Sequence, residues 1–450
     1  MFKKILVANR GEIAVRIIRG CKELNIPVIA IYSTVDKDSY HVKLADEAYC
    51  VGPADMGNSY LNKTNVITTA KKAGADAIHP GYGFLAENSE FARLCQQEGI
   101  TFIGPSAEAI DKMGDKSEGI KSVKEAGVPC VPGTQGELKD LEEARELAGS
   151  IGYPVLIKAA AGGGGKGMRV CETEQELKEN FDNASREAQA AFGNSSMYLE
   201  KYITCPRHVE IQVFCDQYGN GIHFGERDCS IQRRHQKLIE EAPSPALDEN
   251  LRRRMGEAAL KAAKSVDYVN AGTVEFLLDE DRNFYFIEMN TRIQVEHPVT
   301  EMVTGVDLVK LQIIVASGEP LPVKGKGISP GGHAIECRIN AEDPGNNFIP
   351  TPGKIKKFNL PGGPGVRIDS GFLVDSDILP FYDSMVSKLI TWGKDREEAI
   401  NRMKRALGEF EIEGIKTTVP LHKEILANKE FLGGNYTTNF IEEEEIVKNL

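Results

Sequence analysis

The side chains best suited to chemistry in this sequence are two glutamates near residue 280. Glu275 and Glu288 lie in two apolar stretches that a short polar run separates, which predicts a β-hairpin. A turn centred between Asp281 and Arg282 places Glu275 opposite Glu288, with Asn290 on the same face. Facing carboxylates repel unless a cation lies between them, and such oxygen ligands suit Mg²⁺ or Mn²⁺ held with substrate phosphates. A pair of surface glutamates is the alternative, but it explains poorly why both lie in strongly apolar strands.

A lysine followed by a run of glycines predicts a phosphate site. Lys158 lies in the apolar segment 155–160, where a lysine costs free energy unless it is paired. The sequence GGGGKG at 162–167 stands between two predicted strands, and such a hairpin can fold over phosphates and donate backbone N–H groups. It is not a P-loop, because Gly167 follows Lys166 where Ser or Thr is required. A flexible turn and a solvent-facing lysine are the alternatives, and the adjacency of the two features favours the phosphate site.

A third candidate site follows the hairpin directly. Arg292, Gln294 and Glu296 alternate, so they share one side of an extended chain. A guanidinium beside an amide and a carboxylate can bind a small oxyanion and accept its proton. The basic stretch 227–237 is a further candidate, but it lacks the interleaved aromatic residues typical of a nucleic-acid site.

Composition and charge restrict the class of protein. The 450 residues include 66 acidic and 54 basic ones, for a formal net charge of −12. This acidic balance argues against nucleic acid as a partner, and no apolar run approaches the length of a membrane span. The nine cysteines form no CxxC pair, so neither a zinc site nor a disulfide framework is indicated. We expect a cytoplasmic protein.

The elements that must position these residues begin with an alternating pattern. An apolar strand starts at Ile5, apolar residues at helical spacing follow at 13–24, and a second strand is predicted at 28–32. This βαβ pattern predicts a parallel sheet. The turn at 9–12 has a single glycine, so the GxGxxG fingerprint of a nicotinamide dehydrogenase is absent there.

The fold class predicted for the whole chain combines α/β and α+β parts in three regions. Residues 1–113 form the N-terminal βαβ domain, 114–203 a small lid with its linker, and 204–450 a strand-rich region. In the lid, Thr173 and Glu176 predict a capping box at the start of a helix.

Several long segments together resemble the biotin carboxylase family of the ATP-grasp superfamily. They are LVANRGEIAVR at 6–16, AIHPGYGFLAEN at 77–88, GDK at 114–116, the lysine strand and glycine loop at 158–167, RHVEIQV at 207–213, ERDCSIQRRHQK at 226–237, FIEMNTRIQVEHPVTEM at 286–302 and ECRINAEDP at 336–344. The resemblance runs from Ile5 to about Phe440. It implies an ATP-grasp fold with an N-terminal Rossmann-like domain, a small lid and a C-terminal β-rich domain. It also implies a ligase that uses ATP and bicarbonate to carboxylate the ureido nitrogen of biotin.

The resemblance implies roles for individual residues in binding nucleotide and metal. Phosphate contacts fall to Lys116, Lys158, Gly163, Gly164, Gly165, Lys166 and Gly167 of the loop at 162–167. Glu200, Lys201 and Ile203 would hold the adenine, with His208 and Gln232 toward the ribose and phosphates. Glu275 and Glu288, with Asn290 close by, would hold Mg²⁺ or Mn²⁺, with two ions expected.

A second group of residues would act on bicarbonate and biotin. Lys237, Arg292, Gln294 and the backbone of Val295 would bind bicarbonate, and Glu296 would deprotonate it for attack on the γ-phosphate. The resulting carboxyphosphate would yield CO₂ and phosphate. Arg338 would stabilise the biotin enolate, Tyr82 would line the biotin pocket, and His235 would lie near that pocket.

The expected partners follow from the same resemblance. The sequence carries no AMKM-type biotinyl-lysine motif, so we expect a separate biotin carboxyl carrier protein and separate carboxyltransferase subunits. This is the arrangement of multi-subunit acetyl-CoA, acyl-CoA or pyruvate carboxylases, and the family implies a homodimer.

Two other functions share part of the pattern. Another ATP-grasp ligase, of carbamoyl-phosphate or peptide type, would share the lysine, the glycine loop and the metal carboxylates. It would need neither the segment 226–237 nor Arg338. A non-catalytic nucleotide-binding module would have no use for Lys237, Glu296 and Arg338.

Overall fold

The computed structural model of this chain describes residues 1–134, 138–159, 168–192, 197–322, 325 and 327–450. The chain divides into two compact units. The first unit consists of Met1–Val128, Arg207–Phe276 and Glu288–Leu450, and the second of Pro129–Pro206 and Leu277–Ile287. Within the described part of the chain, no helix combines the length and the apolar character that a bilayer span requires.

A five-stranded parallel sheet opens the first unit, as the βαβ pattern predicts. Its strands are β1 (Ile5–Val7), β2 (Val28–Ser33), β3 (Glu47–Gly52), β4 (Ala77–His79) and β5 (Thr101–Phe102), in the order β3-β2-β1-β4-β5. The accompanying helices are α1 (Gly11–Glu23), α2 (Tyr40–Leu44), α3 (Lys63–Ala73), α4 (Ser89–Gln97), α5 (Ala107–Gly114) and α6 (Lys116–Glu125). Apolar residues of β1 and β4 are buried in clusters on both faces, which explains their continuous apolar sequence.

Side-chain hydrogen bonds fix the turn that follows β1. The Asn9 amide donates to the carbonyls of Pro80 and Tyr82 at 2.7 and 2.8 Å. Arg10 donates two hydrogen bonds, at 2.7 and 2.8 Å, to Asp36 in the 3₁₀ turn (Thr34–Asp36) that follows β2. These contacts fix the start of α1 against β2 and against the turn after β4.

The second unit contains a three-stranded antiparallel sheet and two long helices. Its elements are α7 (Leu141–Ile151), β6 (Val155–Ala159), β7 (Met168–Cys171), α8 (Glu174–Phe192) and β8 (Met197–Lys201), with the sheet order β7-β6-β8. The Thr173 half of the capping box at the start of α8 is confirmed, because the Thr173 hydroxyl accepts from the Glu176 N–H at 3.3 Å. The Glu176 carboxylate accepts at 2.8 Å from the Glu172 N–H, one residue before the predicted partner. The glycine loop at 162–167 lies outside the described residues, and with it Gly163, Gly164, Gly165, Lys166 and Gly167.

An eight-stranded sheet follows, in the order β13-β12-β9-β10-β11-β14-β21-β19. Its strands are β9 (Arg207–Cys215), β10 (Gly221–Arg233), β11 (Gln236–Ala242), β12 (Asn270–Leu278), β13 (Phe284–Asn290), β14 (His333–Asn340), β19 (Val366–Ser370) and β21 (Met385–Gly393). The helices in this part of the chain are α9 (Glu249–Lys264), α10 (His297–Thr304), α11 (Leu308–Ala316) and α12 (Arg396–Glu409).

Shorter elements complete the C-terminal part. They are β15 (Glu342–Asp343), β16 (Ile349–Pro350), β17 (Gly353–Lys354), β18 (Lys357–Asn359), β20 (Asp377–Ile378), β22 (Glu411–Glu413), α13 (Val419–Ala427), α14 (Lys429–Gly433) and α15 (Phe440–Glu443).

Side-chain alternation gives β14 two different faces. Ile335, Cys337 and Ile339 pack in an apolar cluster with residues of α12 and α13. Ala334 lies in a different cluster with residues of α10, so Glu336 and Arg338, at the same parity, extend from the face that carries Ala334.

The hairpin that carries the acidic pair forms as β12 and β13, with a different turn centre. The Asp279 N–H donates to the Asn283 carbonyl at 2.9 Å, which centres the turn on Asp281 instead of between Asp281 and Arg282. Arg282 takes the left-handed conformation with φ 65°, as in a three-residue hairpin loop with a bulge. The predicted turn centre between Asp281 and Arg282 was therefore wrong, because the bulge makes the loop three residues long.

Candidate active site

The amino group of Lys237 is the centre of a buried charged cluster in the first unit. Its Nζ lies 2.6 Å from Glu210, 2.6 Å from Glu296 and 3.2 Å from Glu275. Burial disfavours the ammonium form, but the thiol of Cys229 and these carboxylates raise the pKa of Lys237 well above its ordinary value. The site therefore holds a permanent cation at the start of β11, where a small anion could bind.

Glu296 lies immediately before α10 and is 2% exposed. One of its oxygens accepts from Lys237 at 2.6 Å, and the other accepts from Arg338 Nη2 at 2.9 Å. Burial alone would raise the pKa of Glu296, but the charges of Lys237, Arg338 and Arg227 outweigh it and hold that pKa well below the ordinary range. Glu296 is thus an ionised carboxylate, which is the state in which a general base must begin.

Glu275 collects hydrogen-bond donors from several segments. Its Oε1 accepts from Gln294 at 2.7 Å and from Asn290 at 2.9 Å, and His208 Nε2 lies 2.9 Å from its Oε2. Burial opposes ionisation, but Lys237 and His208 hold the pKa of Glu275 far below its ordinary value. The sequence prediction that Glu275 and Asn290 share a face is confirmed by their contact.

The donor atoms around Glu275 fit a hard divalent cation. Ligand atoms of His208, Glu210 and Glu275 lie within 4.8 Å of one another, and all three residues are buried. Carboxylate oxygens of this kind are the ligands that Mg²⁺ prefers, with substrate phosphates completing its coordination. Glu288 is placed differently, since it is partly exposed and lies 3.5 Å from the largely exposed Lys116 at the start of α6.

The segment after β13 carries the predicted oxyanion residues. Arg292 donates to Glu87 at 2.8 Å and to the Asn290 side chain at 2.8 Å, which fixes its guanidinium beside β13. The carbonyl of Val295 accepts from the fully buried Lys388 at 2.8 Å. These contacts hold the segment from Arg292 to Glu296, which bends at 291–292 and turns at 295–296 instead of running extended throughout as predicted.

Arg338 and Tyr82, the residues predicted for biotin, are each held by carboxylates. Arg338 is positioned by Glu240, whose Oε1 accepts from its Nε at 2.5 Å, in addition to Glu296. Tyr82 donates to Glu12 on α1, and Glu12 in turn lies 3.1 Å from Lys388.

Two further predicted residues lie near the turn between β10 and β11. Gln232 is buried and stands opposite Lys237 in the antiparallel register. His235 is in the turn, exposed, with a positive φ of 66°. The structure thus places Gln232 beside the charged cluster and His235 at its rim.

Several of the predicted nucleotide residues lie in the second unit. Lys158 on β6 forms an ion pair with Glu200 on the neighbouring strand β8. Lys201 donates to the carbonyls of Gly152 and Tyr153 at 3.2 and 2.8 Å. Ile203 is 9% exposed. The neighbouring strand β8 therefore supplies Lys158 with a carboxylate partner.

Sequence reasoning assigned no role to Glu210, Glu240 and Lys388, and it included Arg227 only as the first residue of the basic stretch 227–237. Arg227 is completely buried and donates to Glu210 at 2.5 Å and to Gln294 at 2.9 Å. Charged residues at inward-facing positions of apolar strands are the signal that could have identified them, since such positions require a buried partner.

Comparison with known proteins agrees with this arrangement. Residues 1–110 match the family model described as "Biotin carboxylase, N-terminal domain", 115–324 match "Carbamoyl-phosphate synthase L chain, ATP binding domain", and 336–443 match "Biotin carboxylase C-terminal domain".

Individual relatives match over nearly the whole chain. Biotin carboxylase 1 of Bacillus subtilis is 59% identical over 99% of this chain and 100% of its own length. The 2-oxoglutarate carboxylase small subunit of Hydrogenobacter thermophilus is 55% identical over 98% of this chain and 94% of its own. The solved biotin carboxylase domain dimer of the 2-oxoglutarate carboxylase from that organism, in complex with MgADP, ADP and bicarbonate, is 54% identical with a TM-score of 0.89, covering 99% of this chain and 98% of that one. The chain therefore belongs to the biotin carboxylase family of ligases and has the ATP-grasp fold.

Proposed function

We propose that this chain uses ATP and bicarbonate to carboxylate biotin carried on a biotin carboxyl carrier protein. The observation that carries the proposal is the buried Glu296 carboxylate held between Lys237 and Arg338. A base between two fixed cations suits the deprotonation of a small anion, because the cations attract the anion and stabilise the charge that develops on it.

The first step assigns bicarbonate to the charged cluster. Lys237, Arg292 and Gln294 bind the anion together with the Val295 backbone, and Glu296 takes its proton. The bicarbonate oxygen then attacks the γ-phosphate of ATP, and ADP leaves as carboxyphosphate forms. Glu275 and Glu288, with Asn290 nearby, would hold the Mg²⁺ or Mn²⁺ ions, which would supply charge neutralisation at the phosphates.

The second step uses the other cation beside Glu296. Carboxyphosphate releases CO₂ and phosphate, and the phosphate removes the proton from the biotin ureido nitrogen. Arg338 stabilises the resulting enolate, and that nitrogen attacks CO₂. Tyr82 lines the biotin pocket and His235 lies at its rim.

The remaining predicted residues bind the nucleotide. Lys116, Lys158 and the glycine loop contact the phosphates, with His208 and Gln232 toward the ribose and phosphates. Glu200, Lys201 and Ile203 hold the adenine. A loop that closes over the phosphates would protect carboxyphosphate and CO₂ from water.

The partners and the compartment belong to the same proposal. A relative named as the small subunit of 2-oxoglutarate carboxylase supports separate carrier and carboxyltransferase chains, and the solved dimer of a relative supports a homodimer. Cys21, Cys50, Cys95, Cys171, Cys215, Cys229 and Cys337 are free thiols, which fits a reducing compartment such as the cytoplasm.

Carboxylation of free biotin tests the proposal. The purified chain, given ATP, Mg²⁺ and labelled bicarbonate, should form carboxybiotin and ADP in equal amounts. Omission of biotin should strongly reduce ADP release, and chelation of the metal should abolish it. ATP cleavage stimulated by ammonia or by an amino acid, without carboxybiotin, would instead assign the chain to a different ATP-grasp reaction.

A further inference from the structure

Two glutamates stand directly opposite each other inside the eight-stranded sheet. In the antiparallel register of β11 and β14, Glu240 pairs with Glu336, and both residues are 0% exposed. Directly opposite residues in such a pair have Cβ atoms about 4.5–5.5 Å apart and share one face. The sheet therefore forces two carboxyl groups together, away from water and from bulk counter-ions.

The two carboxyl groups differ in their hydrogen bonds. Glu240 Oε1 accepts from Arg338 at 2.5 Å. Among the described residues, neither oxygen of Glu336 has a hydrogen-bond partner, nor has Glu240 Oε2. A buried carboxylate with no donor is strongly disfavoured, whereas a neutral carboxyl group can donate its proton to an unpaired oxygen nearby.

The surrounding charges do not compensate two ionised groups. The charged and titratable residues on the elements packed against this face are Lys237, Glu296, His297, Glu301, Arg338 and Lys388. Lys237 and Arg338 are already paired with Glu296, and Lys388 donates to Val295 and lies beside Glu12. Glu301 is paired with Arg16 and Arg367, and burial holds the pKa of His297 well below its ordinary value.

We propose that Glu240 and Glu336 share one proton at neutral pH, carried by Glu336, and that the pair acts as a positioning device for Arg338. Glu240 keeps its negative charge for the guanidinium, and Glu336 donates its proton to the oxygen of Glu240 that Arg338 leaves unpaired. Burial raises the pKa of Glu336 well above its ordinary value, whereas Arg338 opposes the rise at Glu240 and limits it to about 7, so Glu336 is the group that holds the proton more firmly.

The positioning role of the pair rests on the proposed function. When Glu296 takes the proton of bicarbonate it becomes neutral, and Arg338 loses one of its two carboxylate partners. Glu240 then remains to hold the guanidinium toward biotin. A second free charge on Glu336 would pull Arg338 away from that position, which the retained proton prevents.

Infrared spectroscopy tests for the proton directly. The wild-type chain at pH 7 should show the carbonyl stretch of a protonated carboxylic acid, and Glu336→Gln should remove one such group from the spectrum. Glu241→Gln is the matched control, because Glu241 neighbours Glu240, is similarly buried, and has a pKa that burial would raise but that His333 and Arg396 hold at about 2. An undiminished acid band in Glu336→Gln would overturn the proposal.

Unfolding measurements give a second, independent readout. A carboxyl group whose pKa is raised on folding contributes less to the stability of the protein as the pH rises above 4.5, its pKa in the unfolded chain. The stability of Glu336→Gln relative to wild type should therefore increase with pH, by up to about tenfold in the folding equilibrium constant per pH unit. Failure of Glu336→Gln to fold, or a constant difference from pH 5 to 7, would also contradict a shared proton.

The positioning role has its own test in Glu240→Gln. Loss of the charge should lower biotin carboxylation by roughly tenfold to a hundredfold, with much less effect on the KM for ATP. Glu240→Asp should recover part of the rate, since it keeps the charge. Equal loss of activity in both variants would reject the positioning role of Glu240. An inactive wild-type chain would reject the proposed function, and the infrared and unfolding results would then test the shared proton alone.

Discussion

At the scale of single residues, two cations of the site contact four carboxylates between them. Lys237 contacts Glu210, Glu275 and Glu296, and Arg338 contacts Glu240 and Glu296. Glu296 is the only one of these carboxylates, within the described residues, that both cations contact. It is therefore the group whose charge matters most.

Replacing Glu296 by glutamine should separate its chemical role from its packing. Glu296→Gln keeps the shape but cannot accept a proton, so biotin-dependent ATP cleavage should fall by about 10²–10⁴-fold. Nucleotide binding, measured by calorimetry with ADP and Mg²⁺, should change little. Turnover within a factor of two of wild type would remove Glu296 from the reaction.

Arg338 should affect the two half-steps unequally. Arg338→Lys keeps the positive charge but loses the planar fork that contacts Glu240 and Glu296. We expect bicarbonate-dependent ATP cleavage to be spared more than carboxybiotin formation, measured in the same reaction mixture. Equal losses of both products would contradict the enolate role.

At the scale of elements, the turn between β1 and α1 shows what sequence could and could not predict. The strand, the helix and the missing dinucleotide fingerprint were visible in local spacing. The contact of Arg10 with Asp36 was not, because it joins residues 26 positions apart and depends on how β2 pairs with β1. The predicted centre of the hairpin turn was misplaced by half a residue for a different reason. Nothing in the polar run 279–283 distinguishes a three-residue bulged loop from a two-residue loop.

This contact should stabilise the first parallel sheet. Asp36 is 1% exposed, so Arg10→Ala leaves a buried carboxylate without its bidentate partner and should cost about 3–5 kcal/mol in the free energy of unfolding. The matched control is Arg93→Ala, which removes an exposed ion pair with Asp111 and should change the free energy of unfolding far less, because water and salt screen that pair. Denaturant titration of both variants provides the comparison, and equal costs would refute the argument.

At the scale of the whole molecule, the family, the fold and the metal-binding character were accessible from the sequence because long motifs carry them. The cluster around Lys237 was only partly accessible. Glu210, Arg227 and Lys388 lie in different strands, and their meeting depends on strand order. Strand order is a long-range property that local periodicity does not encode.

The stability of the molecule in acid should depend on buried carboxylates such as Glu241. Burial would raise its pKa, but His333 and Arg396 hold it at about 2, so its stabilising contribution is complete above pH 4.5 and is lost as pH falls toward 2. Glu241→Gln should therefore lose about 3 kcal/mol of unfolding free energy at pH 7. Urea titrations between pH 7 and 3 should show the difference from wild type shrinking with acidity, and a pH-independent difference would be inconsistent with it.

The strand order also makes catalytic turnover a reporter of complete folding. Six adjacent strands, β12, β9, β10, β11, β14 and β21, each contribute at least one charged residue to the cluster or its supports. A slip of one residue in any of them would turn its side chains to the opposite face. Partly assembled chains should therefore have no intermediate level of activity, and recovery of turnover after dilution from denaturant should coincide with the docking of the last strand.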